Sequence, residues 1–247
     1  MLRLLLTPFQ FVIGALYAGQ LNSGINASWI ISYLSNDRKW HEACYNETLR
    51  VVNKFVPDRT LSLADRLSQL PLEAWESDLP VIEACLRESI RITTPGSAFR
   101  KNLSNDPVPL NDKEVIPPGW FASYAIHDIH LDESVYPDPT TFDPGRYVNE
   151  DGTEAAHVQG ANDPNSPRNY TFVGWGVGRH PCLGMKFAKL EMYLMVAFWV
   201  AYFDFEVIKP QGRLPSFESI RNKHSAGAPK EEVLVQYWPR GEARPAA

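Results

Sequence analysis

The distribution of hydrophobic and polar residues along the chain predicts a mainly helical protein. From Pro8 to about Ser35 the apolar residues lie all round one long predicted helix, and Pro8 stands in its first turn, where proline is tolerated. The stretch Gly19–Gly24 holds two glycines, an asparagine and a serine, residue types that weaken a helix interior. The pattern therefore predicts a core helix with a weak point at this stretch, and a helix that breaks its hydrogen-bond ladder usually does so for a ligand.

Shorter elements follow from the same periodicities. Helices are predicted at Asp37–Phe55, Asp58–Leu70, about Trp75–Ile92 and from Leu183 to about Ala201. A hairpin is predicted over Glu114–Ala125 around Pro117-Pro118-Gly119, and alternating residues predict strands at Phe203–Val207 and Val233–Tyr237. Asn149–Asn169 is a predicted mobile surface loop, and Arg240–Ala247 is a predicted frayed end. The predicted fold class is mainly α with small β-sheets (α+β).

The composition fits one globular unit. Of the 247 residues, 44% are hydrophobic and 12% are aromatic, which is enough to bury a sizeable core. The formal net charge is −5, so the chain has no basic excess and nucleic acid is not an expected partner. Residues 1–247 are therefore expected to form one large domain or part of one.

The cysteines indicate a reducing compartment rather than disulfides. Cys44, Cys85 and Cys182 are odd in number and form no Cys-x-x-Cys pair, which argues against a disulfide framework and a structural zinc site. We expect Cys44 and Cys85 to be inert thiols in the core. His127 and His130 lack a further ligand cluster, so no metal pair is predicted there.

The apolar N-terminus is not predicted to be a signal peptide or a membrane anchor. Pro8 and Gln10 interrupt the apolar run, and Gln20 ends it short of the roughly 20 apolar residues that a membrane span needs. No cleavage site with small residues follows the run.

A loop around Cys182 carries the strongest chemical signal in the sequence. Gly174, Gly176 and Gly178 give the backbone the φ freedom to lie flat against a planar partner, and Pro181 stiffens the step before the cysteine. A helical pattern begins directly afterwards. Cys182 is therefore expected at a helix N-terminus, where the dipole and the backbone N–H groups stabilise a thiolate. The loop predicts one thiolate ligand for a metal.

This loop resembles the haem-binding loop of the cytochromes P-450, the haem-thiolate monooxygenases, whose pattern is aromatic-x-x-Gly-x-basic-x-Cys-x-Gly. The matching residues are Trp175, Gly178, His180, Cys182 and Gly184. The family more often has Phe at the first position and Arg at the basic one. The resemblance implies a haem cofactor (iron protoporphyrin IX) with the Cys182 thiolate as axial ligand. Trp175, His180 and Gly184 would bind the cofactor, His180 through a propionate.

Two further motifs resemble the same family in the same order. Glu88-Ser-Ile-Arg91 is similar to its Glu-x-x-Arg helix, and the i,i+3 spacing puts carboxylate and guanidinium on one helix face. Phe142–Tyr147 resembles its downstream element that carries an arginine, here Arg146. The resemblance implies a closed, buried network of Glu88, Arg91 and Arg146 with a structural role. It also places Arg100 beside a haem propionate.

The predicted weak point of the long helix, Ala18–Ser23, resembles the family's oxygen-binding groove and is closest to the Ala-Gly-Gln form of sterol 14α-demethylases. The resemblance makes Gln20 and Asn22 candidate catalytic residues. The family usually has an acid followed by threonine where this chain has Leu21 and Asn22, so the usual groups for delivering protons to dioxygen are absent. Asn22 also resembles the corresponding residue of haem-thiolate isomerases, which rearrange peroxides without dioxygen. Asn22 can equally have only a structural role, in which its side chain hydrogen-bonds backbone groups at a kink in the helix.

The resemblance covers Pro8 to Arg240 and implies the C-terminal part of the cytochrome P-450 fold, with residues 1–247 as a single partial domain. The implied reaction inserts one oxygen atom from dioxygen into an apolar organic substrate such as a sterol, a lipid or a secondary metabolite. The implied partners are this small molecule and an NADPH-dependent reductase as electron donor. The implied location is intracellular, at the endoplasmic reticulum membrane if a full-length form carries an anchor upstream of Met1, and membrane association would occur only through that segment.

Two alternative functions stay open. One is a haem-thiolate isomerase that acts on peroxides, and the other is a truncated, non-catalytic remnant. Because the match begins at the central helix, we expect the chain to be incomplete and to expose an apolar flank of that helix. We also expect it to bind haem weakly and to lack turnover.

Overall fold

The structure is a computed structural model that describes residues 2–94, 96–153, 170–208 and 233–244, with side chains from residue 7 onward. The helices are α1 (Leu2–Leu34), α2 (Arg38–Phe55), α3 (Leu63–Ser68), α4 (Leu72–Ser77), α5 (Pro80–Thr93), α6 (Ile126–His130) and α7 (Met185–Tyr202). The strands are β1 (Ser97–Lys101), β2 (Val108–Pro109), β3 (Val115–Ile116), β4 (Phe121–Ala125), β5 (Phe203–Ile208) and β6 (Leu234–Pro239), and a 3₁₀ turn covers Pro144–Arg146. The prediction of a mainly α fold with small β-sheets is confirmed.

The core lies between four of these helices. α1, α2, α5 and α7 contact one another and surround buried apolar side chains such as Ile30, Val51, Ile82 and Val196. α5 contacts the three other helices, so its polar side chains are held in the interior.

The N-terminal half of α1 lies outside this core. Phe9, Val12 and Leu16 share one face and are 71%, 52% and 63% exposed, so the helix presents an apolar flank to solvent, as expected from the sequence. In the part of the chain that the structure describes, no helix is both long enough and apolar enough to cross a bilayer.

Two observed helices differ from the predicted ones. The helix predicted over Asp58–Leu70 is wrong in extent, because α3 begins only after Ser62, whose hydroxyl accepts a backbone N–H as the N-cap. The helix predicted over about Trp75–Ile92 is in fact two helices, since α4 ends at Ser77 and α5 starts at Pro80. Proline fits the first turn of a helix and not its interior, so the break falls at this residue.

The three sheets are antiparallel pairs: β1 with β4, β2 with β3, and β5 with β6. The hairpin predicted over Glu114–Ala125 is therefore wrong, because its two halves belong to different sheets. Pro117 and Pro118 have no N–H for a strand ladder. Gly119, at φ +79°, donates its N–H to the carbonyl of Asn102 at 2.9 Å. These contacts direct the chain toward β1 instead of back along β3.

The frayed end predicted from Arg240 onward is wrong for Arg240 itself. Its Nε donates to the carbonyl of Val200 at 3.0 Å, and its guanidinium lies 3.7 Å from the ring centre of Tyr45. Both contacts fasten the chain after β6 to α7 and α2. Residues 245–247 lie outside the described residues.

Part of the surface loop predicted over 149–169 is described. Residues 149–153 form a turn that is closed by a hydrogen bond from the Asn149 N–H to the Thr153 carbonyl at 2.8 Å. Residues 154–169 lie outside the described residues, so this part of the prediction stays untested.

Candidate functional site

Cys182 lies at the surface just before α7. It is the exposed member of the three cysteines, since Cys44 and Cys85 are buried. α7 begins at Met185 with Gly184 as its N-cap, slightly later than predicted. The Met185 N–H lies 3.4 Å from the Cys182 carbonyl oxygen, so the cysteine belongs to the turn that leads into the helix. Cys182 thus stands near a helix N-terminus and is accessible to a ligand.

Backbone hydrogen bonds fold the loop that precedes Cys182. The Gly176 N–H donates to the Val173 carbonyl at 2.9 Å, and the Cys182 N–H donates to the Trp175 carbonyl at 2.7 Å. Gly176 and Gly178 have φ values of +72° and +69°, a region that favours glycine. A side chain at Gly176 would also come within 2.8 Å of a backbone carbonyl oxygen. Glycine at these two positions is therefore a requirement of the loop.

Gly174 serves a different purpose from the one predicted. Its φ is not in the positive region, so it provides no left-handed turn. A Cβ at Gly174 would lie 2.3 Å from Cγ2 of Ile90, a residue of α5. The loop therefore passes directly against α5 at this point, and only glycine permits that approach.

α5 carries the buried ion pair that the sequence predicted. Arg91 donates from Nε and Nη2 to the two carboxylate oxygens of Glu88, at 2.8 and 2.7 Å, and both side chains are fully buried. Arg146 donates from Nε to the same carboxylate at 3.1 Å. Burial by itself would lower the pKa of Arg91, but the hydrogen bonds and the charge of Glu88 outweigh it and raise that pKa. The structure thus brings Glu88, Arg91 and Arg146 together.

The network also holds remote backbone segments. Arg91 Nη1 donates to the carbonyls of His130 and Pro139, at 2.6 and 2.7 Å. Arg146 Nη2 donates to the carbonyl of Asp138 at 3.0 Å. The end of α6 and the turn after it are therefore fastened to α5 through charged hydrogen bonds, which are stronger than neutral ones.

A family model described as cytochrome P450 matches residues 10–233, a range that includes the cysteine loop and the Glu88–Arg91–Arg146 network. This chain belongs to the cytochrome P450 family. It is 36% identical over 205 residues to the cytochrome P450 monooxygenase nsrP of Aspergillus novofumigatus, and 34% identical over 234 residues to the cytochrome P450 monooxygenase dmxR5 of Cryptosporiopsis sp.. The alignments cover 83% and 94% of this chain but 38% and 42% of those proteins. The chain thus spans less than half the length of these relatives.

The solved structure of a retinoic-acid-bound cyanobacterial CYP120A1 has a similar fold. The two superpose with a TM-score of 0.66 over 92% of this chain and 45% of that chain, at 23% sequence identity. This similarity shows that the chain has the fold of part of a P450 protein. The comparisons do not support the finer resemblance to sterol 14α-demethylases.

P450 proteins bind haem through a cysteine thiolate, and the surroundings of Cys182 fit this group. Thiolate is a soft ligand that suits haem iron. A Cβ at Gly178 or Gly184 would meet no heavy atom within 4 Å, so the backbone on either side of Cys182 is open. Phe187, in the first turn of α7, adds exposed apolar surface. The donor and the open loop are therefore suited to a flat, largely apolar ligand that carries a metal.

Three other residues were predicted to contact the cofactor: Arg100 lies on β1, and His180 and Trp175 lie in the loop that precedes Cys182. Arg100 is exposed on β1, forms no ion pair with any described residue, and donates from Nη1 to the carbonyl of its neighbour Phe99 at 2.8 Å. His180 is exposed within the loop. Trp175 is half-buried, packs against the core and holds the Cys182 N–H with its carbonyl. The roles of Arg100 and His180 toward a propionate therefore stay predictions.

α1 is one long helix, as predicted, and it continues without a break through the weak point predicted at Gly19–Gly24. Asn22 donates from Nδ2 to the carbonyl of Ala18, four residues earlier, at 2.8 Å. This bond adds to the helix instead of opening it, since a carbonyl oxygen has two lone pairs. Gln20 and Asn22 are both exposed near the middle of α1, and their catalytic role stays a prediction.

Two polar residues of the interior have buried positions that were not predicted from the sequence. Ser23 is 2% exposed, and its hydroxyl has no hydrogen-bond partner in the described part of the chain. His130 is fully buried and accepts the Val173 N–H at Nε2, at 3.0 Å. Helical spacing from the buried residue Ala27 could have assigned Ser23 to the core face. No local pattern indicates the partner of His130, which is 43 residues away.

Proposed function

We propose that this chain is the haem-binding part of a P450 monooxygenase, with Cys182 as the axial ligand. The observation that carries the proposal is an accessible cysteine in a glycine-dependent loop just before α7. The loop is packed directly against α5, the helix that holds the buried Glu88–Arg91 pair. A rigid support of this kind is what a metal ligand requires, because small displacements change coordination geometry.

The remaining residues have proposed roles around that ligand. Trp175 orients the backbone N–H of Cys182, and Gly184 leaves room beside the thiolate. His180 and Arg100 pair with the haem propionates through positive charge. When bound, haem supplies the redox chemistry that inserts one oxygen atom from dioxygen into a substrate.

The proposed substrate is an apolar organic molecule such as a sterol, a lipid or a secondary metabolite, and the electron donor is an NADPH-dependent reductase. Support for the reaction class comes from the relatives nsrP and dmxR5, both named as cytochrome P450 monooxygenases. An intracellular location, at the endoplasmic reticulum membrane for a form with an anchor, stays a prediction.

A haem titration tests this proposal. The wild-type chain, Cys182→Ser and Cys44→Ala are titrated with haem and followed by absorbance, Cys44→Ala being the control because it removes a buried cysteine outside the loop. The wild type and Cys44→Ala are expected to give the same thiolate-type spectrum, whereas Cys182→Ser loses it. If the wild type takes up no haem at all, the non-catalytic remnant is the better interpretation.

A haem-thiolate isomerase is the second candidate, and Leu21 and Asn22 favour it. The two residues stand where monooxygenases usually have an acid and threonine, and the amide of Asn22 is already bonded to the Ala18 carbonyl. If Asn22 limits dioxygen chemistry, Asn22→Thr in an otherwise intact enzyme should raise the fraction of consumed reducing equivalents that appears in product rather than in peroxide. Unchanged coupling would leave Asn22 as a residue of helix structure only.

A further inference from the structure

The buried imidazole of His130 connects two parts of the site. On one side, its backbone carbonyl accepts Nη1 of Arg91 at 2.6 Å. On the other side, its ring Nε2 accepts the Val173 N–H at 3.0 Å. We propose that His130 is a positioning residue that couples the buried Glu88–Arg91 pair to the cysteine loop and so fixes the backbone that carries Cys182.

Val173 is the first residue of the hydrogen-bonded turn that begins the cysteine loop. Its carbonyl accepts the Gly176 N–H at 2.9 Å, and Trp175, inside that turn, accepts the Cys182 N–H at 2.7 Å. A hydrogen bond to the Val173 N–H therefore fixes the turn that contains Trp175. The Trp175 carbonyl in turn holds the Cys182 N–H. The residue after Val173 is pressed against Ile90 of α5, so the loop has little freedom to shift along the helix.

The Nε2 atom of His130 acts as a hydrogen-bond acceptor. Because Nε2 accepts a hydrogen bond, the ring proton of the neutral imidazole resides on Nδ1. Burial, followed by the charge of Arg91, lowers the pKa of His130 to about 3, so the ring remains neutral at physiological pH. The ring also stacks on Phe172, with centres 5.2 Å apart and planes at 15°. An apolar side chain could keep the stacking but would leave the Val173 N–H buried without a partner.

This inference rests on the proposed role of Cys182, but its test requires no haem. Amide hydrogen exchange at Val173 and the pH profile of Cys182 alkylation by iodoacetamide are measured in the 247-residue chain. Alkylation of the native protein reports on Cys182, since Cys44 and Cys85 are buried. A failure of haem binding with an intact loop would therefore contradict the proposed function and leave the positioning role of His130 standing.

Two variants of His130 distinguish the role of the Nε2 acceptor from the role of the aromatic ring, and a third variant is a control. His130→Phe keeps an aromatic ring but cannot accept, and it should speed exchange at Val173 about tenfold and shift the alkylation profile. His130→Gln offers an oxygen acceptor and should restore both readouts to near wild type. Thr48→Val is the control, because it removes a buried hydrogen bond to the Cys44 carbonyl within α2. It should leave Val173 exchange and the alkylation profile unchanged.

The inference is overturned if His130→Phe exchanges and alkylates like the wild type, or if His130→Gln behaves like His130→Phe. A measurement on the wild-type chain tests the inference even if a variant fails to fold. ¹⁵N NMR of the histidine ring should show an unprotonated Nε2 and a protonated Nδ1 at neutral pH. A ring protonated at Nε2 would contradict the proposal directly.

Discussion

Glu88 and Arg91 form a fully buried ion pair on α5. Both side chains have no exposed surface, so their charges have lost the hydration they have in the unfolded chain. Such a pair contributes little over an apolar pair of the same shape, but removing one partner leaves the other charge buried and unpaired. The pair therefore specifies the arrangement of α5 and its neighbours more than it adds net stability.

The expected cost follows from this asymmetry. Glu88→Gln should lower the free energy of unfolding by about 3–5 kcal/mol, because it leaves Arg91 charged in the interior. Glu150→Gln removes a partner of Lys39 in a pair that is more than half exposed, and it should change stability by less than about 1 kcal/mol. Urea denaturation measures both, and equal small changes would show that the network contributes no more than a surface pair.

Glu47 is a second buried carboxylate with a long-range partner. Its two oxygens accept the N–H groups of Val81 and Ile82 in the first turn of α5, at 2.8 and 2.9 Å. Burial raises the pKa of Glu47 to about 7, although these two hydrogen bonds oppose the shift. The carboxyl therefore caps a helix that it does not belong to.

The raised pKa sets a direction for the pH dependence of stability. Between about pH 4.5 and pH 7 the folded chain keeps the Glu47 proton while the unfolded chain has lost it, so stability falls as pH rises. The change is about 3 kcal/mol over this window. Glu47→Gln should remove this component, whereas the exposed control Glu133→Gln should retain it. Identical pH profiles for wild type and Glu47→Gln would contradict the assignment.

At the scale of residues, contacts between residues that are close in sequence can be predicted from the sequence alone. Glu88 and Arg91 are three positions apart on a helix, so their pairing follows from helical geometry. The bonds from Val81 to Glu47 and from Val173 to His130 span 34 and 43 residues. They depend on how elements pack, and a single sequence contains no local signal for them.

Among the elements, α5 and the cysteine loop depend on one close approach. Gly174→Ala would place a Cβ 2.3 Å from Cγ2 of Ile90, so the loop or the helix must move. We expect a loss of about 1–3 kcal/mol in the free energy of unfolding. Gly24→Ala in α1 meets nothing within 4 Å and should instead raise stability by up to about 1 kcal/mol. Thermal denaturation distinguishes the two, and a stabilised Gly174→Ala chain would refute this packing.

The types of the elements were predictable where a helical pattern is long, and the pairing of the strands was not. α2 and α7 lie close to their predicted ranges because each has a long helical pattern. The segments Val115–Ile116 and Phe121–Ala125 are strands, but they were predicted to pair with each other and instead pair with β2 and β1. Strand pairing is decided by contacts with β1 and β2, which periodicity within one segment does not show.

For the whole molecule, the main consequence is the exposed flank of α1. Phe9, Val12 and Leu16 lie on one face of α1 and present an apolar surface of the kind that promotes association. The triple variant Phe9→Gln/Val12→Gln/Leu16→Gln should lower concentration-dependent self-association in sedimentation experiments without lowering helix content, because glutamine is a good helix former. Leu103→Gln, an exposed residue after β1, is the control and should have little effect. A wild-type chain that is monomeric at all concentrations would contradict this expectation.

The central claim is that Cys182 supplies the thiolate of a haem site. The most direct measurement is the difference spectrum of the haem-loaded, reduced chain with carbon monoxide. We predict the red-shifted Soret band of a thiolate-ligated haem for the wild type and its loss in Cys182→Ala. A band retained in Cys182→Ala would contradict the assignment.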